Sequence, residues 1–271
     1  MLSLIKIEWL KIKKYPAFWW MLGIVALTYP GINLLFYNFY KEITTKKDFT
    51  STIAKQLFGN PFAFPETWHS VAFFSSIFVI IPAILVIMII TNEYQYKTHR
   101  QNVIDGWSRN QFITSKILDV AIITIVATLM YVATATAYGF TIKDDNSAQW
   151  SEEVKYIPLF LLQTFAQLTV AFLLGFLIKK AFIALGIYIF YFAVIENIIV
   201  GLMKFKKIPG SRFLPLEISD KLIPGPKFFG RFDEAGYKLS LSHINQHIVY
   251  TMVLTAAIWG LCYFIYKKQD L

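Results

Sequence analysis

The chain has 271 residues, of which 56% are hydrophobic and 16% charged, with a formal net charge of +9. A soluble domain of this size is usually about a quarter charged, and a mean hydropathy of +0.51 points instead to a chain that lives in lipid. The excess positive charge is scattered rather than gathered in a stripe, which excludes a nucleic-acid surface. Lysines beside spans that anchor on anionic membrane lipids account for it, each contributing about 1 kcal/mol near the surface.

Residues 1–15, "MLSLIKIEWLKIKKY", place Leu2, Ile5, Trp9 and Ile12 at helical spacing, within one arc of roughly 80° at ~100° per residue. This predicts an interfacial helix lying along one leaflet, or alternatively a simple basic flank that orients the first span. Pro16 suits a break before the first apolar run, residues 17–37. That run exceeds a signal-peptide core and is followed by no small-x-small cleavage site, so it is expected to remain as a span. "YPGIN" at 29–33 predicts a kink or a broken helix at Pro30, where a helical hydrogen bond is lost. Residues 38–70 are polar. They end in "FGNPFAFPETW", whose aromatics and prolines suit a segment resting at the membrane interface.

A second apolar run covers 71–91, and then the composition changes abruptly. Residues 92–116, "NEYQYKTHRQNVIDGWSRNQFITSK", carry polar or charged side chains in nearly every turn. Glu93 to Ile104 is expected to form a helix of about three turns, closed by the Asp105-Gly106 turn signal. Ser108 and Gln111 match a capping box, so a new helix is predicted to begin near Arg109 and run straight into the third apolar run, 117–138. Asp119, close to the start of that run, is expected at the interface.

The fourth run, 157–177, places Gln163 and Gln167 one helical turn apart. Both interhelical hydrogen bonding and a polar translocation path fit them. The fifth, 181–201, contains Glu196 and Asn197. An ionisable group in a span is a functional candidate by default, although Glu196 is near enough to the end of the run to reach headgroups. Residues 202–247 are rich in proline and interspersed with short apolar pieces, which predicts small helices or a re-entrant hairpin. His243 and His247 lack the glutamate of the His-Glu-x-x-His zinc signature, so no metal site is expected there. The sixth run is 248–266. It holds the single cysteine, Cys262, which permits no internal disulfide.

Each of the six runs has 18 to 22 residues and at most one charge, and about 20 helical residues cross ~30 Å of hydrocarbon. The runs lack the in/out alternation of a barrel strand. The fold class is therefore an all-α integral membrane protein, one transmembrane domain of six helices preceded by an interfacial helix. With both termini inside, the inner segments carry twelve Lys and Arg. The outer loops carry fourteen over about twice the length, eight of them in 202–247. The positive-inside rule then favours cytoplasmic termini, and residues 92–116 face the cytoplasm.

The sequence contains no phosphate-binding Gly-x-x-x-x-Gly-Lys-Ser/Thr loop, no cysteine–histidine cluster and no Gly-x-Ser-x-Gly elbow. No catalytic activity is expected, and any uphill work must draw on a partner or an ion gradient. Asn92-Glu93, Thr98, Arg100, Gly106, Ser108-Arg109, Phe112 and Lys116 fall in the places of a pattern Asn-Glu-x-x-x-Gly-Thr-x-Arg, then a small-residue turn, Ser-Arg, an aromatic and a lysine. In this pattern, and in outline over the whole chain, the sequence resembles ABC-2-type transporter permeases. Lys97 stands where that pattern has glycine, and "FLPLEISDKLIPGP" is similar to the family's outer loop.

The resemblance implies the membrane subunit of an exporter in the cell (inner) membrane. It would act as two permeases, alike or related, with two ABC ATPase subunits that bind the ATP, and it would need no cofactor of its own. The cargo would be lipophilic, peptide or glycan-type. It also implies that residues 92–116 form the coupling loop, with Glu93, Thr98, Arg100, Ser108, Arg109 and Lys116 transmitting the ATPase's motion. Gln163, Gln167, Glu196 and Asn197 are the candidates for a translocation path. A stand-alone ion-coupled carrier or channel is the other reading of a six-span chain.

Overall fold

A computed structural model describes residues 2–45, 59–104, 106–142, 149–206, 208, 210–230 and 233–268. Residues 46–58 of the first long loop, and Asp105 of the turn, lie outside the described residues. The architecture is helical throughout them, and six helices are long and apolar enough to cross a membrane. The protein is an all-α, six-span membrane protein.

The order is α1 (Leu2–Lys14), α2 (Pro16–Thr45), α3 (Thr67–Ser76), a 3₁₀ turn (Ile77–Val79), α4 (Ile80–Gln95), α5 (Thr98–Ile104), α6 (Arg109–Thr141) and α7 (Tyr156–Ile178). Then come α8 (Ala181–Phe190), a π turn (Tyr191–Ile195), α9 (Glu196–Phe205), a 3₁₀ turn (Ser211–Phe213), α10 (Pro215–Asp220), α11 (Lys227–Gly230), α12 (Glu234–Ser242) and α13 (Ile244–Lys268). The spans are α2, α3–α4, α6, α7, α8–α9 and α13. Each helix outruns its apolar stretch at one or both ends. The described ends of the chain, α1 and the end of α13, sit on one side, here the terminal face; the loops 59–66 and 149–155 and the described residues of 208–243 sit on the far face.

The fourth span, α7, is the hub and packs against spans two, three, five and six. Its sequence shows why. Its polar residues are amides and hydroxyls, and small residues allow close approach. Gly175 is the tightest point, where a Cβ would stand 2.6 Å from Ile90 Cγ2 and 3.4 Å from Ile87 Cα. Spans one and five lie at the periphery and turn many large apolar side chains outward, among them Leu27, Leu35, Phe182 and Phe190. That is the distribution a lipid-facing surface requires.

Three expectations gain detail. Pro30 does not break the first span, which runs as one helix from Pro16 to Thr45. Asn33 Nδ2 donates to the Tyr29 carbonyl at 2.8 Å, and Tyr138 Oη donates to the Pro30 carbonyl at 2.9 Å, so neighbouring polar groups support the backbone around the proline. The described residues of the "FGNPFAFPETW" segment, 59–68, plug the far end of the bundle. Phe62, Phe64 and Trp68 are buried; Trp68 Nε1 donates to the Trp150 carbonyl at 2.7 Å and Tyr131 Oη donates to the Trp68 carbonyl at 2.8 Å. Finally, α1 is held to the bundle by Glu8 and Ile12, while Trp9 on the anticipated apolar arc is exposed. The side chains of Leu2 and Ile5 lie outside the described residues.

The plug fixes one glycine. The Phe64 ring lies against Gly139 of α6 so closely that a Cβ there would meet the ring at 2.4 Å, whereas a Cβ on Gly23 would meet nothing. Gly139→Ala is therefore expected to lower stability by about 1–3 kcal/mol, the usual cost of overpacking. Gly23→Ala should be neutral or slightly stabilising. Thermal unfolding in detergent, followed by loss of helical circular dichroism, compares the two.

Candidate functional site

Polar side chains collect at two ends of the bundle. On the terminal face the centre is Lys116, only 1% exposed and lying near the start of α6. Its ammonium lies 2.7 Å from Glu93 Oε1, 2.7 Å from Asp119 Oδ2 and 3.2 Å from Glu8 Oε2. Lys11 adds a second cation at 2.8 Å from Glu8 Oε1 and 3.8 Å from Glu93 Oε1. Asp119 is buried here, not interfacial as its position in the sequence implied. Three carboxylates and two ammoniums thus tie α1, the end of the second span and the start of the third. Burial works against the Glu8 carboxylate, but Lys116 and Lys11 outweigh it and hold its pKa below the ordinary carboxylate range. Asn92 Nδ2 donates to Tyr15 Oη at 2.7 Å beside the cluster.

The expected single helix from Glu93 to Ile104 is two helices. α4 ends at Gln95 and α5 starts at Thr98. Between them Lys97 takes φ 57°, a left-handed conformation that costs a residue with a Cβ roughly 1–2 kcal/mol. This is the position at which the permease pattern has glycine. The break lets Thr98 Oγ1 and His99 Nδ1 both reach the Glu93 carbonyl, at 3.4 and 3.0 Å, so α5 folds back onto the end of the span. Gly106 comes next with φ 93° in the predicted turn.

The capping box is present as read from sequence. Gln111 N donates to Ser108 Oγ at 3.2 Å and Ser108 N to Gln111 Oε1 at 2.8 Å. Arg109 then reaches across the bundle. Its guanidinium donates to the Tyr266 carbonyl at 3.4 Å and to the Lys267 carbonyl, occupying acceptors that the last helix leaves open at its C-terminal end. Phe112 stacks on Tyr266 at 4.6 Å.

The six residues predicted to couple to a partner therefore separate. Thr98, Arg100 and Ser108 are exposed, and Arg109 is partly exposed but engaged with the last helix. Glu93 and Lys116 are buried and face each other. A surface contact is not open to these two, because their charges are spent on one another and on Glu8 and Asp119. Arg100 borders a groove of about 840 Å³ together with Lys97, Lys179, Lys180 and Phe182.

On the far face the proline-rich loop folds into the anticipated short helices, and α10 is gripped by the spans. Glu196 Oε1 accepts from Leu216 N at 2.8 Å and Glu217 N at 2.7 Å, capping the first turn of α10. Gln163 and Gln167 both donate to Asp220 Oδ1 at its last turn, at 3.0 and 2.6 Å. His247 Nδ1 lies 3.2 Å from the Ile218 carbonyl. Asn197 turns back on its own helix and donates to the Phe192 and Ala193 carbonyls at 3.1 and 3.2 Å, within the π turn that loosens the fifth span. Gln163, Gln167 and Glu196 converge on α10, and Asn197 does not join them in holding it. Among the described residues no group of three His, Cys, Asp or Glu is placed to hold a metal ion.

Sequence reasoning missed Glu8 and Asp220. Glu8 is the only acid in its amphipathic segment, and on a helix it falls one turn before Ile12. That placement is the signal the sequence offers for it. Asp220 offers none beyond its presence in the resembled loop.

Fold and clusters together define a multi-pass helical membrane protein with an ion-paired joint at one face and a short helix locked at the other. The family model described as "Protein of unknown function (DUF2705)" matches residues 10–271, and the chain belongs to that family. No curated protein matches the chain.

The joint gives a direct test. Lys116→Met leaves three buried carboxylates without their shared cation and should cost about 3–5 kcal/mol, seen as a marked fall in the thermal midpoint in detergent. Combining it with Glu93→Gln and Asp119→Asn removes the orphaned charge and should recover much of the loss. Lys97→Gly is expected to leave the fold intact and raise stability by up to about 1 kcal/mol, since only glycine takes that φ without strain.

Proposed function

We propose that this protein is the membrane-spanning subunit of an ATP-binding-cassette exporter of the ABC-2 type, with its terminal face in the cytoplasm of the cell membrane. The observation that carries the reading is the α5 elbow. A short helix sits between two spans, is folded back by a left-handed residue at the pattern's glycine position, and is succeeded by a capped helix that continues into the third span. Such a piece moves as a rigid body with α4 and α6. Pressure on α5 from an ATPase would therefore pass into two spans at once, as switching by rigid-body motion requires. The lack of any nucleotide-binding loop in the sequence fits an energy source on a separate subunit, and the paired assembly of two permeases belongs to the same reading.

Arg100 carries the contact in this reading. It is exposed on α5, and its fork suits a bidentate pairing with a carboxylate of the ATPase. Glu93 and Lys116 do not touch the partner; they hold the elbow to the span. The test is copurification from mild detergent. Tagged wild-type protein should retain an ATP-binding subunit, and Arg100→Ala should weaken that association about tenfold or more while membrane insertion is unchanged. Recovery of the wild-type protein without any ATP-binding subunit would remove the reading's main support. An equal yield of the ATPase with Arg100→Ala would remove the assigned contact.

A further inference from the structure

A cavity of about 290 Å³ opens on the far face between the second span, the fourth span, the fifth span and α10. Ser76, Gln163, Phe192, Glu196, Glu217 and Asp220 are among its lining residues. The lining holds three carboxylates and no Lys or Arg. Glu217 is neutralised from outside the cavity by Lys204 and Lys221, each 3.2 Å from its Oε1. The other two carboxylates have only neutral donors. Glu196 is held by two backbone N–H groups and Asp220 by two glutamine amides.

Acceptor capacity remains unused in the same place. Gln163 is 2% exposed and Glu196 4%, and both Gln163 Oε1 and Glu196 Oε2 lack a hydrogen-bond partner, with the Tyr191 hydroxyl beside Glu196. A buried acceptor left unmet costs free energy, and the buried Glu196 carboxylate has no counter-cation among the described residues, while Asp220 stands exposed at the rim of the cavity. These acceptors suit a donor-rich cation. The described residues do not make a metal cluster, while the Phe192 ring and the Leu216, Val200 and Ile223 side chains suit the organic part and the face-on attraction of an ammonium group.

We propose that this cavity binds a single organic ammonium group, shared between the Asp220 and Glu196 carboxylates, with Gln163 Oε1 accepting a further N–H and Phe192 forming the apolar wall. The ammonium belongs either to a free small amine or to an amine-bearing lipid headgroup. The proposal does not depend on the exporter reading, since it needs neither an ATPase nor transport.

Protons compete for the same site. Although Asp220 as a residue is exposed, the crowding of its carboxyl by the packed helices, with Glu217 and Glu196 close by, pushes that carboxyl up to about 7. The groups facing it are Glu196 from the fifth span, Glu217 on its own helix with Lys204 and Lys221 beyond, Gln163 and Gln167 from α7, and Tyr188 from α8. His247 of the last span touches the same helix at Ile218. Ammonium binding needs Asp220 ionised, so affinity should rise as pH increases through about 7 and fall below it.

The full chain, purified in a neutral maltoside detergent, is titrated calorimetrically with phenethylammonium chloride and with 2-phenylethanol, its uncharged counterpart. Saturable one-to-one binding of the amine, none of the alcohol, and tighter binding at pH 8 than at pH 6 are expected. Asp220→Asn and Glu196→Gln, which keep an acceptor oxygen for the α10 contacts, should each weaken amine binding at least tenfold. Displacement of the amine by short-chain phosphatidylethanolamine, but not phosphatidylglycerol, identifies a headgroup as the source; no displacement identifies a free amine. Absence of saturable binding by the wild type, equal binding of amine and alcohol, or unchanged affinity in both variants overturns the proposal. If the variants fail to fold, the amine–alcohol comparison and the pH trend on the wild type still decide it.

Discussion

The Lys116 ammonium is the interaction on which the terminal face depends. A buried ammonium is stable only when opposite charge and hydrogen bonds replace the water it has lost. Here those partners come from three pieces of chain: α1, the end of α4 and α6 itself. The ammonium therefore ties these three pieces to one another. The apolar spans would pack in many registers, since lipid and side chain are equally apolar. A single charge that must find its carboxylates selects one register. The elbow at Lys97 arises from the same constraint, because Glu93 is committed to Lys116 through its side chain and to Thr98 and His99 through its carbonyl.

The far face is organised on a different principle. There the spans grip a helix of six residues at both of its ends, Glu196 at the first turn and the two glutamines at the last. A helix this short has little stability of its own, so its order is borrowed from spans four and five. The π turn just before Glu196 displaces that carboxylate along its helix by one residue, and Asn197 satisfies two of the carbonyls in it. The irregular backbone and the polar side chains therefore form one device for presenting Glu196 to α10.

How far each feature is legible in the sequence depends on the range of the interaction behind it. The six spans are legible because their signal is local and dense, and the Ser108–Gln111 box because both partners lie within one turn. The helix break is not, since lysine gives no hint of a positive φ and the stretch from Glu93 to Ile104 has no proline or glycine. Only the glycine of the resembled pattern points to it. Glu93 and Lys116 read as surface residues because they lie 23 residues apart and Glu8 is 108 residues from Lys116, and composition alone cannot show which charges of a polar segment turn inward. Glu196 and the glutamines stand out in the sequence as costly polar residues in spans. Their common target, α10, lies in a loop whose course only three-dimensional packing defines.

The contacts of α6 with the two ends of the chain bear on biogenesis. Arg109 holds carbonyls up to 158 positions later in the sequence, and Lys116 holds an acid 108 positions earlier. During synthesis the first helix can be latched as soon as the third span is in the bilayer, whereas the start of that span stays unclamped until the final span has been inserted. The Lys116 contact thus joins α6 to residues made before it, and the Arg109 contact joins α6 to residues made after it. A chain stalled in the membrane before its sixth helix would have its buried charges paired while still exposing the Arg109 guanidinium, a chemical mark by which incomplete and finished molecules differ.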